Sequence, residues 1–263
     1  MGTICDVDGN ESMDPGAARD LLAAVDRAVT IRDRVMRLGD PLAGSLAAAD
    51  ASIPHARWVY VTASIALGVA ADHLMTWRGI VRSGSIPVHA PMTLLRSALE
   101  AAVLTRWVVD DRCDAETRVA RGIAAEIDNH RERGLFEDAI HAGPRPPGAG
   151  LSGAERRAEL AEARDAAQIP RVALPGSTSL AADYGAPGHA DLTWLYRLLS
   201  AFAHGKEWSY FGTSMGPSVA SPMPGVQRGR VTASDNILVG TSSRVALCVE
   251  IAVIDAERYL RKP

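Results

Sequence analysis

PHARWVYVTASIALGVAADHLMTWRGIVR, residues 54–82, decides the fold class. Pro54 can open a helix, and Gly84 and Pro87 close one. Between Arg57 and Asp72 the stretch carries no charge, and its centre is apolar on nearly all sides. A helix that is apolar all round is buried rather than half-wet. The run from Trp58 to Ala71 is shorter than the roughly 20 residues a bilayer span needs. It therefore predicts a core helix over Pro54–Arg82.

Working outward, the same periodicity recurs. Asp14 and Pro15 resemble an N-cap with proline at the first helical position. A helix is expected from Pro15 to Leu38, with Leu21, Leu22, Val25, Val29, Val35 and Leu38 at helical spacing. An Ala-rich, mobile linker is expected before Pro54. Downstream, helices are expected over Ala90–Val109 and Asp114–His141. GPRPPGAG (143–150) reads as a loop. Ser152 with Glu155 forms a capping-box pattern for a polar helix to Ala167. Residues 170–188 are rich in Pro, Gly and Ser and read as irregular. A short helix is expected over His189–His204. A long Gly/Pro-rich stretch then runs to Arg230, with WSYFGT and GRVTA as strand candidates for a small β-hairpin. Ser234 or Asp235 caps a last helix to Tyr259. The expected fold is all-α: a flexible arm over 1–15, then one helical-bundle domain over 16–263 of six or seven helices, with a lid-like loop before the last.

Composition narrows the function classes. The chain has 263 residues, 47% hydrophobic, with a net charge of −3. That balance argues against a non-specific nucleic-acid binder, so any such contact must be local. Lys206 and Lys262 are the two lysines, so positive charge is almost all arginine, which grips phosphate or carboxylate with two parallel hydrogen bonds. Cys5, Cys113 and Cys248 are far apart and odd in number, which fits a reducing cytoplasm. The acidic, polar start MGTICDVDGNESMDPG does not read as a signal peptide, and no basic amphipathic membrane helix is found. No Gly-x-Ser-x-Gly elbow, P-loop or dinucleotide fingerprint is present.

Charges inside apolar helices mark the candidate site, because a buried charge needs a partner. Arg96 and Glu100 are four apart among Leu94, Leu95, Leu99, Ala102 and Val103, and so share a helix face. Such pairs can tie helices together or line a polar pocket. Arg244 and Glu250 have similar surroundings, and Asp72 and His73 follow the apolar run. Arg197, Ser200 and His204 form one stripe, since seven residues at about 100° each bring Arg197 and His204 to nearly the same direction. The same Arg-to-His spacing at Arg82 and His89 is interrupted by Gly84 and Pro87. His204 ends its helix, where the dipole favours imidazolium. A histidine can take the proton of a ribose 2′-hydroxyl, and an arginine can hold the scissile phosphate, cleaving RNA without metal.

At these residues the chain resembles the HEPN superfamily, helical bundles with an arginine, four to six residues, then a histidine on a late helix. Here the match is Arg197-LLSAFA-His204, and RSALEAAVLTRWVVDD (96–111) with LYRLLSAFAHG (195–205) is similar to uncharacterised HEPN-like bacterial proteins. The resemblance implies a cytoplasmic homodimer, RNA as substrate, no cofactor, and toxin–antitoxin or phage-defence biology with an antitoxin as a further partner. In catalytic members a polar residue usually follows the arginine; here it is Leu198. Two other readings stand beside the ribonuclease. One is a non-catalytic binding or assembly module lined by Arg96, Glu100, Arg197 and His204. The other is a metal-dependent helical enzyme drawing on Glu100, Glu126, His130, Asp72, His73 and His204, with Glu126 and His130 four apart on one face.

Overall fold

A computed structural model describes residues 13–87, 89–140, 150–185, 192–210, 219–220, 227–228 and 234–261. Among the described residues the chain is all-α apart from one two-residue ladder. Its helices are α1 (Pro15–Val35), α2 (Leu46–Asp50), α3 (Arg57–Ser83), α4 (Ala90–Val108), α5 (Ala115–Ile140), α6 (Gly153–Ala166), α7 (Ser177–Tyr184), α8 (Thr193–Ala203) and α9 (Asp235–Arg261). A 3₁₀ turn covers Glu207–Tyr210.

Contacts gather into two compact units. The first comprises 1–37, 67–103 and 177–253; the second comprises 38–66, 104–176 and 254–263.

In the first unit, Asp14 caps α1 by accepting from the backbone of Gly16 and Ala17, with Pro15 at the first position. Leu21, Ala24, Val25, Ala28 and Ile31 turn to one buried face. Polar contacts then fix the register of neighbouring helices. Arg78 and Arg82 both reach Asp26, and Arg27 pairs with Glu250. The Trp77 indole, 1% exposed, donates to Ser242 Oγ at 2.9 Å. Burying an indole N–H without such a partner would cost about 1–3 kcal/mol.

In the second unit, α5 meets the first residues of α3 so closely that a Cβ on Gly122 would lie 2.6 Å from the Val59 nitrogen. Only glycine fits there. Ser152 and Glu155 complete the capping box of α6 as expected. Glu137 accepts from the Gly153 N–H and so ties α5 to α6. The Asp50 side chain is fully buried and bonds Arg118.

Several expectations are corrected. The linker before Pro54 contains α2, capped by Ser45, which accepts from Ala48. It is ordered because Asp50 must reach Arg118. Residues 177–184 are helical rather than irregular, with Leu180, Ala181 and Tyr184 buried. Trp208 to Tyr210, expected in a strand, form the 3₁₀ turn instead. The ladder that does form pairs Val219–Ala220 with Gln227–Arg228. GRVTA (229–233), most of the arm over 1–15 and most of the 143–150 loop lie outside the described residues. α3 and α9 are long and apolar enough, by length and composition, to cross a membrane. Buried core helices share those properties; both helices carry buried residues, among them Leu67, Trp77, Val245 and Val253, and both also expose apolar ones, Ile65 and Val69 on α3 and Ile254 on α9.

Candidate functional site

The first unit brings four polar side chains together between α4 and α8. Arg96 stands at its centre. Its guanidinium donates from Nε to Glu100 Oε1 at 3.2 Å, from Nη2 to the Tyr196 hydroxyl at 3.3 Å, and from Nη1 to His204 Nε2 at 2.9 Å. Tyr196 in turn donates to Glu100 Oε1 at 3.0 Å, and its ring lies under the guanidinium, 5.5 Å from Cζ to centroid. The Arg96 and Glu100 side chains are 22% and 31% exposed, and His204 is exposed. Burial opposes the charge on Arg96. The Tyr196 hydrogen bond and the Glu100 charge outweigh it, so its basicity is raised further and it stays cationic.

Local sequence explains how α8 presents this edge. Leu195, Leu199, Ala201 and Phe202 take the buried side. Tyr196, Ser200 and His204 follow at four-residue steps, each about 40° further round, on the opposite side. His204 is the C-cap of the helix. Gly205 follows with φ +60°; its N–H reaches the Phe202 carbonyl at 3.2 Å, and the Lys206 N–H reaches that of Ala201 at 2.8 Å. This is a Schellman ending, and it fixes the His204 backbone.

A guanidinium can only donate, so His204 Nε2 accepts and the ring carries its proton on Nδ1. The ledge therefore pairs the Arg96 cation with a solvent-facing imidazole that accepts from it.

Arg96, Glu100 and His204 thus converge. Arg197 is exposed and makes no hydrogen bond or ion pair among the described residues, and Ser200 is half-buried beside it. Tyr196 is the member of the cluster that the sequence reading does not single out. Its place four residues before Ser200 was the available signal.

The metal candidates do not gather. Glu126 and His130 pair with each other on α5, Oε1 to Nε2 at 3.1 Å. Glu100 and His204 each turn to Arg96 instead. Asp72 is exposed and His73 half-buried. Among the described residues no three His, Cys, Asp or Glu side chains form a group able to hold a metal ion. Arg244 and Glu250 also part company. Arg244 bonds the Gly240 carbonyl and covers Trp194 at 5.4 Å, while Glu250 pairs with Arg27.

Compared with known proteins, the chain matches no protein-family model, no curated protein and no solved structure.

Proposed function

We propose that the α4–α8 ledge binds the phosphodiester of RNA and that the chain is a HEPN-like, metal-independent endoribonuclease. One observation carries this reading. The Arg96 guanidinium contacts His204 Nε2 at 2.9 Å on a surface that also presents the exposed Arg197. An anionic phosphate competes with a neutral imidazole for the Arg96 N–H, since hydrogen bonds between charged partners are the stronger. Once released, Nε2 can accept the 2′-hydroxyl proton while that oxygen attacks phosphorus. The bond from phosphorus to the 5′-oxygen breaks, a 2′,3′-cyclic phosphate forms, and the departing oxygen takes up a proton. Arg96 and Arg197 would offset the charge growing on the phosphate. The resemblance extends the proposal to a cytoplasmic homodimer in toxin–antitoxin or phage-defence biology.

A second reading is a non-catalytic binding module. It is favoured by the engagement of His204 Nε2 in the resting arrangement and by Leu198 after Arg197.

The test is incubation of the chain with mixed RNA, with and without EDTA, alongside His204→Ala. Cleavage that resists EDTA and vanishes in the variant supports the nuclease. Cleavage that survives His204→Ala removes the role given to His204. RNA binding without cleavage selects the second reading.

A further inference from the structure

The chain has five tryptophans, and they divide sharply. Trp77 and Trp107 are 1% and 3% exposed, as core tryptophans should be, and Trp58 is half-buried. Trp194 and Trp208 are 47% and 53% exposed. In sequence these two bracket the α8 members of the polar ledge, Tyr196 and His204. Trp194 lies in the first turn of α8, three residues before Arg197. Ten helical positions separate it from His204, a rise of about 15 Å. Trp208 stands in the 3₁₀ turn that follows the Schellman ending, four residues after His204.

A large exposed ring costs solubility unless something uses it, and two such rings at either end of one short helix invite one explanation. The charges around them narrow it. Arg244 lies over the Trp194 ring, Arg197 is a turn away, and Lys206 precedes Trp208 by two residues. With Arg96 these make four cations, against Glu100 and, next to Trp208 in sequence, Glu207, in a chain whose net charge is −3. A partner that is aromatic-stacking and anionic fits this surface better than an apolar protein face. Unpaired nucleotides have both properties: bases that stack on indole and phosphates that pair with arginine. In a duplex the bases stack on one another and offer no faces.

We infer that Trp194 and Trp208 are base-stacking platforms on either side of the Arg96–His204 ledge, so that the site takes single-stranded RNA laid along α8. The inference rests on the RNA-directed reading above. It adds the substrate class, and it names residues outside the ledge that select it.

The experiment is fluorescence anisotropy with a short 2′-O-methyl oligoribonucleotide, which cannot be cleaved through its 2′-oxygen. It is presented single-stranded and annealed to its complement, to wild type, Trp194→Ala, Trp208→Ala and the double variant. The single strand is expected to bind at least tenfold tighter than the duplex. Each alanine variant should lose about tenfold of single-strand affinity, with Trp→Phe restoring part of it. Duplex affinity should not change. Both rings are exposed, and far-UV circular dichroism checks that each variant is folded. Single strand and duplex bound equally, with the alanine variants unchanged, would overturn the stacking platforms and leave the RNA reading standing. Wild type binding neither form would overturn the RNA reading itself, and the inference with it.

Discussion

The two units each contain an arginine set between a carboxylate and a tyrosine, and the two sets differ in what remains unsatisfied. In the second unit Arg118 grips Asp50 with both arms, at 2.8 and 2.6 Å, and also bonds the Cys113 carbonyl. Tyr259 hydrogen-bonds Asp50 as well, and its ring centroid lies 6.0 Å from the Arg118 Cζ. Arg118 and Asp50 side chains are 4% and 0% exposed. In the first unit Arg96, Glu100 and Tyr196 repeat the arrangement, but its third arm ends on a solvent-facing histidine. The closed set has no capacity left for a ligand, so it can only hold helices in place. The open set is wet and has donors and an acceptor that a ligand could take over. Residue type alone does not separate a structural cluster from a functional one; the accessibility of its last partner does.

Breaking the closed set should have the largest effect. Arg118→Met leaves Asp50 in a dry interior without its counter-charge, which should destabilise by about 3–5 kcal/mol. Asp50→Leu combined with Arg118→Met removes both charges and should recover most of that loss. Urea unfolding of the single and double variants measures both. A single variant within about 0.5 kcal/mol of wild type would mean the pair is not holding α2 to α5.

Tyr259→Phe should cost less, about 1–2 kcal/mol, since it removes one buried hydrogen bond. It also carries a pH signature. Burial, then the Asp50 charge and hydrogen bond, push the Tyr259 hydroxyl above its ordinary value of 10.0. A raised folded value means its stabilisation is complete below the unfolded tyrosine range near 10 and is lost as pH rises beyond it. Wild type should therefore lose stability above about pH 10 more steeply than Tyr259→Phe. Thermal melts from neutral to alkaline pH decide it, and parallel profiles would remove the buried phenol from this role.

The helices were legible because their apolar residues recur at helical spacing, a signal that α1, α3, α4, α5, α8 and α9 follow, while the polar α6 was legible from its capping box. α2 and α7 were not, because five and eight residues give too little periodicity to read. Asp50 shows the limit clearly. In an Ala-rich segment it looks like a linker residue, and only its partner 68 positions away makes it a core residue. At the ledge, helical phase placed Ser200 and His204 on one side, and burial cost singled out Arg96 and Glu100. That Arg96 meets His204 is a fact of α4 against α8, which no local pattern contains. Trp194 and Trp208 were invisible for a related reason: a tryptophan reads as core until its exposure is known.

The ending of α8 gives a smaller effect. Gly205 sits at φ +60° with no atom near its would-be Cβ, so alanine there is strained by its backbone and not by crowding. Gly205→Ala should cost about 1 kcal/mol. It should also loosen the His204 backbone and weaken RNA affinity beyond what that stability change explains. If anisotropy is unaltered, the Schellman ending shapes the helix without shaping the site.

The smallest stability effect should come from Glu100→Gln, which tests the comparison most directly when the same carboxylate-to-amide exchange is made in each set. Asp50→Asn removes the counter-charge of a buried guanidinium and should approach the cost of Arg118→Met. Glu100→Gln does the equivalent beside Arg96, but water reaches both groups, so the loss should stay below about 0.5–1 kcal/mol. Its functional effect should have the opposite sign. With Glu100 neutral, Arg96 faces one less anion, and the ledge becomes more attractive to phosphate. RNA affinity should rise a few-fold at low salt, and the gain should shrink as salt screens it. Denaturation and anisotropy on the two amide variants therefore give a crossed result if the distinction is real: Asp50→Asn unfolds easily and Glu100→Gln binds more tightly. Equal destabilisation by both would show that the ledge is a second structural tie, because only a water-shielded guanidinium depends so heavily on its carboxylate.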